Sequence, residues 1–372
     1  MNDGPERRPL RIAVDARPLA EPPGGLRRYL ECILPALLDA DPGLELHLIG
    51  NRKLDPTWRH RDRVTVSVAP WPMTALFRPL WESCQLPARL ARLGADIFFS
   101  GTGVVPAGTR TPSVVTFHDL AFLKRPDLLP WRYRIYWRRV AARLNRARSI
   151  LVPSSATRHD LIELTSVDPH RVHVVPSAGD PRFRPADAGS HHRSTAAPDT
   201  RFVFWIGTRE PRKNLGLLLE AMELLNAERH PATLLVLAGP PGWGVQTPAT
   251  ADWVRDLGRI DDATLLDLYR TASVFAFPST DEGFGLPVVE AMACGCPVAA
   301  ADAGSLPEIV GDAGILLPPT DPRAWADAIA RIIDNPDVGA RLATESLERA
   351  SRFSWSATAQ QTLDVFHRAA RS

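Results

Sequence analysis

Two glutamates, Glu282 and Glu290, stand eight residues apart and flank a loop, Gly283-Phe284-Gly285-Leu286-Pro287, with two glycines and a proline. A proline in the first helical turn loses no hydrogen bond, because that N–H has no intrahelical partner. The stretch therefore reads as a helix from Pro287 to about Cys294, stopped by Gly295 with Pro297 beyond it. The apolar run before the loop, 273–278, reads as a buried strand. Strand, glycine loop and helix start leave the N–H groups of Phe284, Gly285 and Leu286 free, which suits an anion. Two carboxylates beside a phosphate would repel it. They fit if each accepts hydrogen bonds from hydroxyls on either side of that phosphate, Glu282 from one polyol and Glu290 from another. A sugar nucleotide has this layout: sugar hydroxyls, a diphosphate, then ribose hydroxyls.

A second stretch repeats the pattern with cations. The apolar run 202–207 leads into Thr208-Arg209-Glu210-Pro211-Arg212-Lys213-Asn214, and a helix starts near Leu215. Arg and Lys here add charge to the N–H groups of a helix start. Lys213 is the stronger candidate, and spacing leaves its partner open between Arg209 and Arg212. His118 directly follows the run 113–117, where a strand ends. A histidine there can act as base, acid or hydrogen-bond donor to a hydroxyl, and Asp119 reads as orienting the loop. Gly24-Gly25, between a first strand at 10–15 and a helix at 26–38, could let backbone approach a ligand. No G-x-G-x-x-G follows that strand, which disfavours a nicotinamide enzyme.

Glu282-Gly283-Phe284-Gly285-Leu286-Pro287 with Glu290-Ala291-Met292 resembles the two-glutamate signature of family-4 retaining glycosyltransferases of the GT-B fold. Thr116-Phe117-His118-Asp119-Leu120 resembles that family's His-Asp motif, and Arg212-Lys213-Asn214 its Arg-Lys-Asn segment; the likeness spans roughly residues 11–370. The resemblance implies transfer of a glycosyl group from a nucleoside diphosphate sugar, with retained configuration. His118, Glu282 and Lys213 would be catalytic. Gly25, Arg209, Arg212, Phe284, Gly285, Leu286 and Glu290 would join Lys213 and Glu282 around the donor. Gly258-Arg259-Ile260 matches the place where the base is held, mainly through backbone. The pattern is most similar to bacterial mannosyltransferases of surface polysaccharide assembly, which points to GDP-mannose as donor and a saccharide or lipid-linked acceptor, with no cofactor. No D-x-D stands near these segments, so cations and helix starts are expected to replace a metal. A sugar-nucleotide epimerase of the same fold would need an acid/base carboxylate set, and a non-catalytic nucleotide-sugar-binding protein would not hydrolyse donor.

The elements that must position these residues follow the α/β alternation of a parallel, doubly wound sheet. Apolar runs at 44–49, 64–68, 96–100, 150–155 and 172–175 read as further strands of a first domain, and 234–238 as a strand of a second. The expected division is 1–185 and 186–355, two Rossmann-like domains facing a cleft, with a helix at 356–372 crossing back to the first domain. The stretch 176–200, rich in Pro, Ala and Ser, reads as the linker; His191-His192 within it lack further metal ligands. Residues 1–185 carry 28 Lys+Arg against 18 Asp+Glu, the remainder 16 against 24. An anionic partner or surface is thus expected for the first half, with nucleic acid not among the partners. No leader and no apolar run of membrane-spanning length is apparent, and the four cysteines, Cys32, Cys84, Cys294 and Cys296, read as reduced and mostly buried. A cytoplasmic protein, peripheral at the inner face of the membrane, is the expectation.

The membrane expectation rests on 131–149, WRYRIYWRRVAARLNRARS. At about 100° per residue, Tyr133, Trp137, Val140, Leu144 and Ala147 form one stripe and Arg132, Arg139, Arg143 and Arg146 another. The apolar stripe should dock on the core and the Arg stripe should face outward, with Trp131, Ile135 and Tyr136 at its edges.

Overall fold

The computed structural model describes residues 8–22, 24–69, 80–124, 131–186, 197–198, 200–227, 229–242 and 251–371. Two compact units result: Met1–Ser177 with Trp355–Ser372, and Ala178–Ser354. The boundary lies before the expected 185/186 because the intervening residues are held by the second unit. Phe183 is buried there, edge-on to Tyr269 at 5.6 Å, and Arg182 pairs with Asp262 at 2.8 Å. His191 and His192 lie outside the described residues.

The first unit contains β1 (Leu10–Asp15), α1 (Gly25–Ala40), β2 (Leu44–Gly50), β3 (Val64–Val68), α2 (Leu86–Leu93), β4 (Ile97–Ser100), β5 (Ser113–Thr116), α3 (Ala121–Lys124), α4 (Trp131–Arg143), β6 (Ser149–Val152), α5 (Ser155–Leu164) and β7 (Val172–Val174). The strands form one parallel sheet in the order β3-β2-β1-β4-β5-β6-β7. Val14 is in register with Leu48 on one side and Phe99 on the other. β4, β5 and β6 are buried throughout, as expected for strands covered on both faces.

The second unit contains β8 (Phe202–Ile206), α6 (Leu215–Asn226), β9 (Leu234–Ala238), β10 (Val254–Asp256), α7 (Asp262–Thr271), β11 (Val274–Phe277), α8 (Leu286–Ala293), β12 (Val298–Ala301), α9 (Leu306–Val310), β13 (Ile315–Leu317), α10 (Pro322–Asp334) and α11 (Pro336–Ala350). Its parallel sheet runs β10-β9-β8-β11-β12-β13. Both sheets thus show the same doubly wound order, and in each the chain reverses direction across the sheet beside the first strand: between β1 and β4, and between β8 and β11. Ligands of such sheets bind at the carboxyl ends of strands at this switch point.

The last helix, α12 (Trp355–Arg371), belongs to the first unit. Phe366 meets Phe99 at 5.2 Å, Trp355 meets Tyr29 at 5.7 Å, and Thr358 Oγ1 donates to the Pro176 carbonyl at 2.6 Å.

Helix α4 corrects part of the expected outward stripe. Val140, Leu144 and Ala147 are buried, and Trp131, Ile135 and Arg139 are exposed. Tyr136 and Arg143 instead turn inward: the Tyr136 hydroxyl donates to Glu82 at 3.1 Å and Arg143 to the Ser83 hydroxyl at 3.2 Å. The side chains of Arg132 and Tyr133 lie outside the described residues. None of the four cysteines is in a disulfide; Cys294 and Cys296 are buried, but Cys84 is exposed. Among the described residues no helix is long and apolar enough to cross a membrane.

Candidate active site

The cationic loop and the glutamate loop follow β8 and β11, neighbours at the second unit's switch point. A 3-10 turn, Pro211–Lys213, and Asn214 in the left-handed conformation (φ 52°) turn the first loop into α6. Lys213 donates to Glu282 Oε1, and its ammonium lies 4.9 Å from the centre of the Phe277 ring. The Ser279 hydroxyl donates to the same oxygen at 2.6 Å, and Arg212 Nη1 approaches it at 3.3 Å. The Arg212 carbonyl accepts from Thr280 N at 2.8 Å, which ties the two loops together. Burial opposes ionisation of Glu282, but Lys213 and Arg212 outweigh it and hold the carboxyl down at about 2. Glu282 is therefore anionic at neutral pH. Burial pushes the Lys213 ammonium down from its ordinary value, against the pull of Glu282.

The backbone of the glutamate loop is clamped as well. Ser305 N donates to the Glu282 carbonyl at 3.2 Å, and a Cβ on Gly304 would lie 2.9 Å from Glu282 N. Gly285 adopts φ 92°, and its Cβ would stand 2.9 Å from Leu306 Cδ2, so glycine alone suits that bend. No side chain caps α8. Among the described residues the N–H groups of Phe284, Gly285 and Leu286 donate to no protein acceptor, so their hydrogen-bonding capacity stays unspent at the positive end of the helix.

Arg212 is thus the arginine brought to Lys213. Arg209 pairs with Asp256 at the end of β10, at 2.5 Å, and its buried Nε has no acceptor among the described residues. Gly258-Arg259-Ile260 follows β10; Arg259 is exposed and Ile260 half-buried against the core. Glu290 lies one turn into α8, 1% exposed, with the Tyr269 hydroxyl 3.4 Å from Oε2. Ser279 and Asp256 were not apparent from sequence: Ser279, three residues before Glu282, falls in no motif, and Asp256 matters through Arg209, which follows a different strand.

In the first unit His118 follows β5. Its Nε2 donates to the Gly101 carbonyl at 2.9 Å, and Tyr29 packs edge-on at 4.8 Å. A carbonyl only accepts, so Nε2 carries the proton. Burial lowers the imidazole from its ordinary value, which favours a neutral ring whose Nδ1 can accept from a hydroxyl. Asp119 accepts from Ala121 N at 3.3 Å, a loop-orienting contact. Gly25 opens α1, and a Cβ there would meet nothing within 4 Å. At the β1/β4 switch point Arg17 forms a bidentate pair with Asp15, both contacts 2.7 Å, and reaches Glu82 at 3.2 Å. Its guanidinium stacks on Trp81 at 4.5 Å, and Thr102 donates to Asp15 at 3.1 Å. A cavity of about 260 Å³ opens beside this cluster, lined among others by Asn51, Arg52, Thr102 and Trp137.

Residues 23–183 match the family described as Glycosyltransferase Family 4, and residues 189–349 the one described as Glycosyl transferases group 1. O-antigen chain mannosyltransferase B of Escherichia coli is 32% identical over 265 residues, covering 68% of this chain and 70% of that protein. D-inositol 3-phosphate glycosyltransferase of Thermobispora bispora is 37% identical over 235 residues, covering 58% and 55%. The chain therefore spans little more than half the length of the second relative. The chain belongs to the family-4 glycosyltransferases, with the GT-B fold. Among solved structures, sucrose-phosphate synthase of Thermosynechococcus elongatus aligns with TM-score 0.76 at 23% identity, over 96% of this chain and 98% of that one. HepE of Anabaena, in complex with UDP and glucose, aligns with TM-score 0.71 at 21% identity, over 96% and 100%. At such identities the likeness speaks for the fold alone.

Proposed function

We propose that this glycosyltransferase is a retaining hexosyltransferase. It moves mannose from a nucleoside diphosphate sugar, GDP-mannose, to a hydroxyl of a saccharide or lipid-linked glycan, and it does so without a metal ion. The observation that carries the reading is the meeting of Lys213, Arg212 and Glu282 beside the free N–H groups that open α8, at the β8/β11 switch point. The diphosphate takes the N–H groups of Phe284, Gly285 and Leu286, with Lys213, Arg212 and Arg209 as cations. Glu282 accepts from sugar hydroxyls and Glu290 from ribose hydroxyls, while backbone at Arg259 and Ile260 holds the base. The loop at Gly25 admits the phosphates, and His118 Nδ1 accepts from a sugar hydroxyl.

The bond from the anomeric carbon to the diphosphate oxygen breaks, and its electron pair stays on that oxygen. Lys213 and the α8 N–H groups stabilise the charge that grows there. The acceptor hydroxyl bonds to the anomeric carbon from the same face and passes its proton to the departing oxygen. Two carboxylates are then used for positioning, and neither forms a covalent intermediate. Mannose as the sugar is supported by the likeness to the Escherichia coli mannosyltransferase. A peripheral stand at the inner face of the membrane is supported by exposed Trp131 and Ile135 beside Arg138 and Arg139.

Thermal shift against GDP-, UDP-, dTDP- and ADP-sugars tests the donor, since a ligand that binds only the native state raises the melting temperature. GDP-mannose should give the largest rise; no rise with any of them would sink the donor reading. Excess EDTA should leave transfer intact, and loss restored by magnesium would overturn the metal-free step. Co-sedimentation with anionic vesicles should fall for a Trp131→Ser/Ile135→Ser/Arg139→Ser variant; equal pelleting removes α4 as the membrane contact.

A further inference from the structure

The first unit carries a second polar concavity at the opposite pole of its sheet. The loops that enter β5, β6 and β7, three neighbouring parallel strands, bring Arg110, Arg148 and Arg171 together, and Arg146 joins them from the turn after α4. They line a cavity of about 290 Å³ whose walls include the Thr109 and Thr111 segments and contain no Asp or Glu. Arg171 is fixed: Nη1 donates to the Asn145 and Ala147 carbonyls at 3.1 and 3.4 Å, and Nε lies 3.8 Å from Asp168. Arg110, Arg146 and Arg148 are exposed, and among the described residues their side chains have no hydrogen-bond or ion-pair partner. Elsewhere in the chain Arg17, Arg182, Arg209, Arg212, Arg229 and Arg341 each hold a carboxylate.

We propose that this cavity is a phosphate-binding site, separate from the donor site. Three unpaired guanidinium groups around one concavity repel one another and focus a positive field into it. A phosphate group relieves that repulsion, and its oxygens match the planar fork of arginine two at a time. The cavity lies at the amino ends of the strands, whereas substrates of doubly wound sheets occupy the carboxyl ends. The site therefore takes a phosphate that is not the one leaving in the transfer: a soluble phosphate ester or the headgroup phosphate of a lipid. It does not depend on the donor or acceptor proposed above.

Pyrophosphate binding by calorimetry, on the full chain near physiological ionic strength, tests the site. The Lys213→Ala background removes the main competing cation of the donor site. There, pyrophosphate should still bind, and adding Arg110→Ser, Arg146→Ser and Arg148→Ser should weaken it on the order of tenfold or more. The corresponding Arg→Lys variant should weaken it less, because charge is kept while the fork is lost. A parallel arm measures pelleting with vesicles of phosphatidic acid in phosphatidylcholine against phosphatidylcholine alone. An Arg-dependent effect on pyrophosphate identifies a soluble ligand; one confined to vesicles identifies a headgroup. If neither probe responds to the three substitutions, the site is refuted. Arg148→Glu alone, at an exposed position, serves as the second variant if the triple change fails to fold, and its unchanged binding of both probes counts equally against the site.

Discussion

The two units share a strand order and put an Arg- or Lys-carboxylate cluster at the same topological place, yet the clusters are built for different ends. In the first unit Arg17 and Asp15 are 3% and 0% exposed, every contact is to protein, and Trp81 covers the guanidinium. Burial alone would raise Asp15, but Arg17 and its hydrogen bonds hold it below the usual carboxylate range. In the second unit the Lys213–Glu282 pair keeps about a tenth of each side chain exposed and sits beside backbone N–H groups that have no protein acceptor among the described residues. One cluster closes its switch point and leaves a cavity beside it; the other leaves its switch point open to an anion. On the proposed function, the same fold position serves architecture in one unit and chemistry in the other, and the unspent hydrogen-bonding capacity is what distinguishes them.

That contrast predicts opposite phenotypes. Arg17→Ala takes the arginine from two buried carboxylates, Asp15 and Glu82, leaving them with the Thr102 and Tyr136 hydroxyls as neutral donors, and should cost about 3–5 kcal/mol of stability. Chemical denaturation measures it; a loss below about 1 kcal/mol would mean that the cluster is not a structural one. Lys213→Ala leaves Glu282 with Arg212 and the Ser279 hydroxyl, so the fold should persist. Turnover should fall on the order of 10²–10³-fold, because the cation faces charge that grows only in the transition state. Wild-type turnover with only a raised KM contradicts that role.

The second unit's site was largely legible because its parts are local: strand, glycine, cation and helix start fall within a dozen residues, and Glu282 and Glu290 flank one loop. The choice between Arg209 and Arg212 was not legible, because Asp256 decides it from β10. The first unit's cluster was hidden for the same reason: Glu82 meets Arg17 across 65 positions of sequence. Helical periodicity placed Val140 and Leu144 on the core, but it could not say that Glu82 and Ser83 would draw Tyr136 and Arg143 inward. That the sheets are parallel and doubly wound followed from strand and helix alternation, whereas the strand order itself came only from the structure.

A smaller effect sharpens the comparison within the second unit. Glu290 is buried, with the Tyr269 hydroxyl 3.4 Å from its Oε2. If it accepts from ribose hydroxyls, Glu290→Ala should weaken nucleoside diphosphate binding by about 1.5–3 kcal/mol, with turnover at saturating donor changed less. Calorimetry that returns wild-type affinity for a folded variant removes Glu290 from the site.

The smallest expected effect separates glycines that the protein needs from one that it does not. Gly285 and Gly304 are demanded from within: a Cβ on either would stand 2.9 Å from Leu306 or from Glu282 N. Gly25 is different. It opens α1, and a Cβ there meets nothing within 4 Å. Alanine at that position loses less backbone entropy on folding, so Gly25→Ala should leave stability unchanged or raise it by about 0.4–1 kcal/mol. If the loop exists to let a donor phosphate approach backbone, the added methyl occupies that space and transfer should fall while the melting temperature holds. A variant that is both stable and fully active would show that no ligand comes close to Gly25, and the first unit's part in donor binding would then rest on His118 alone.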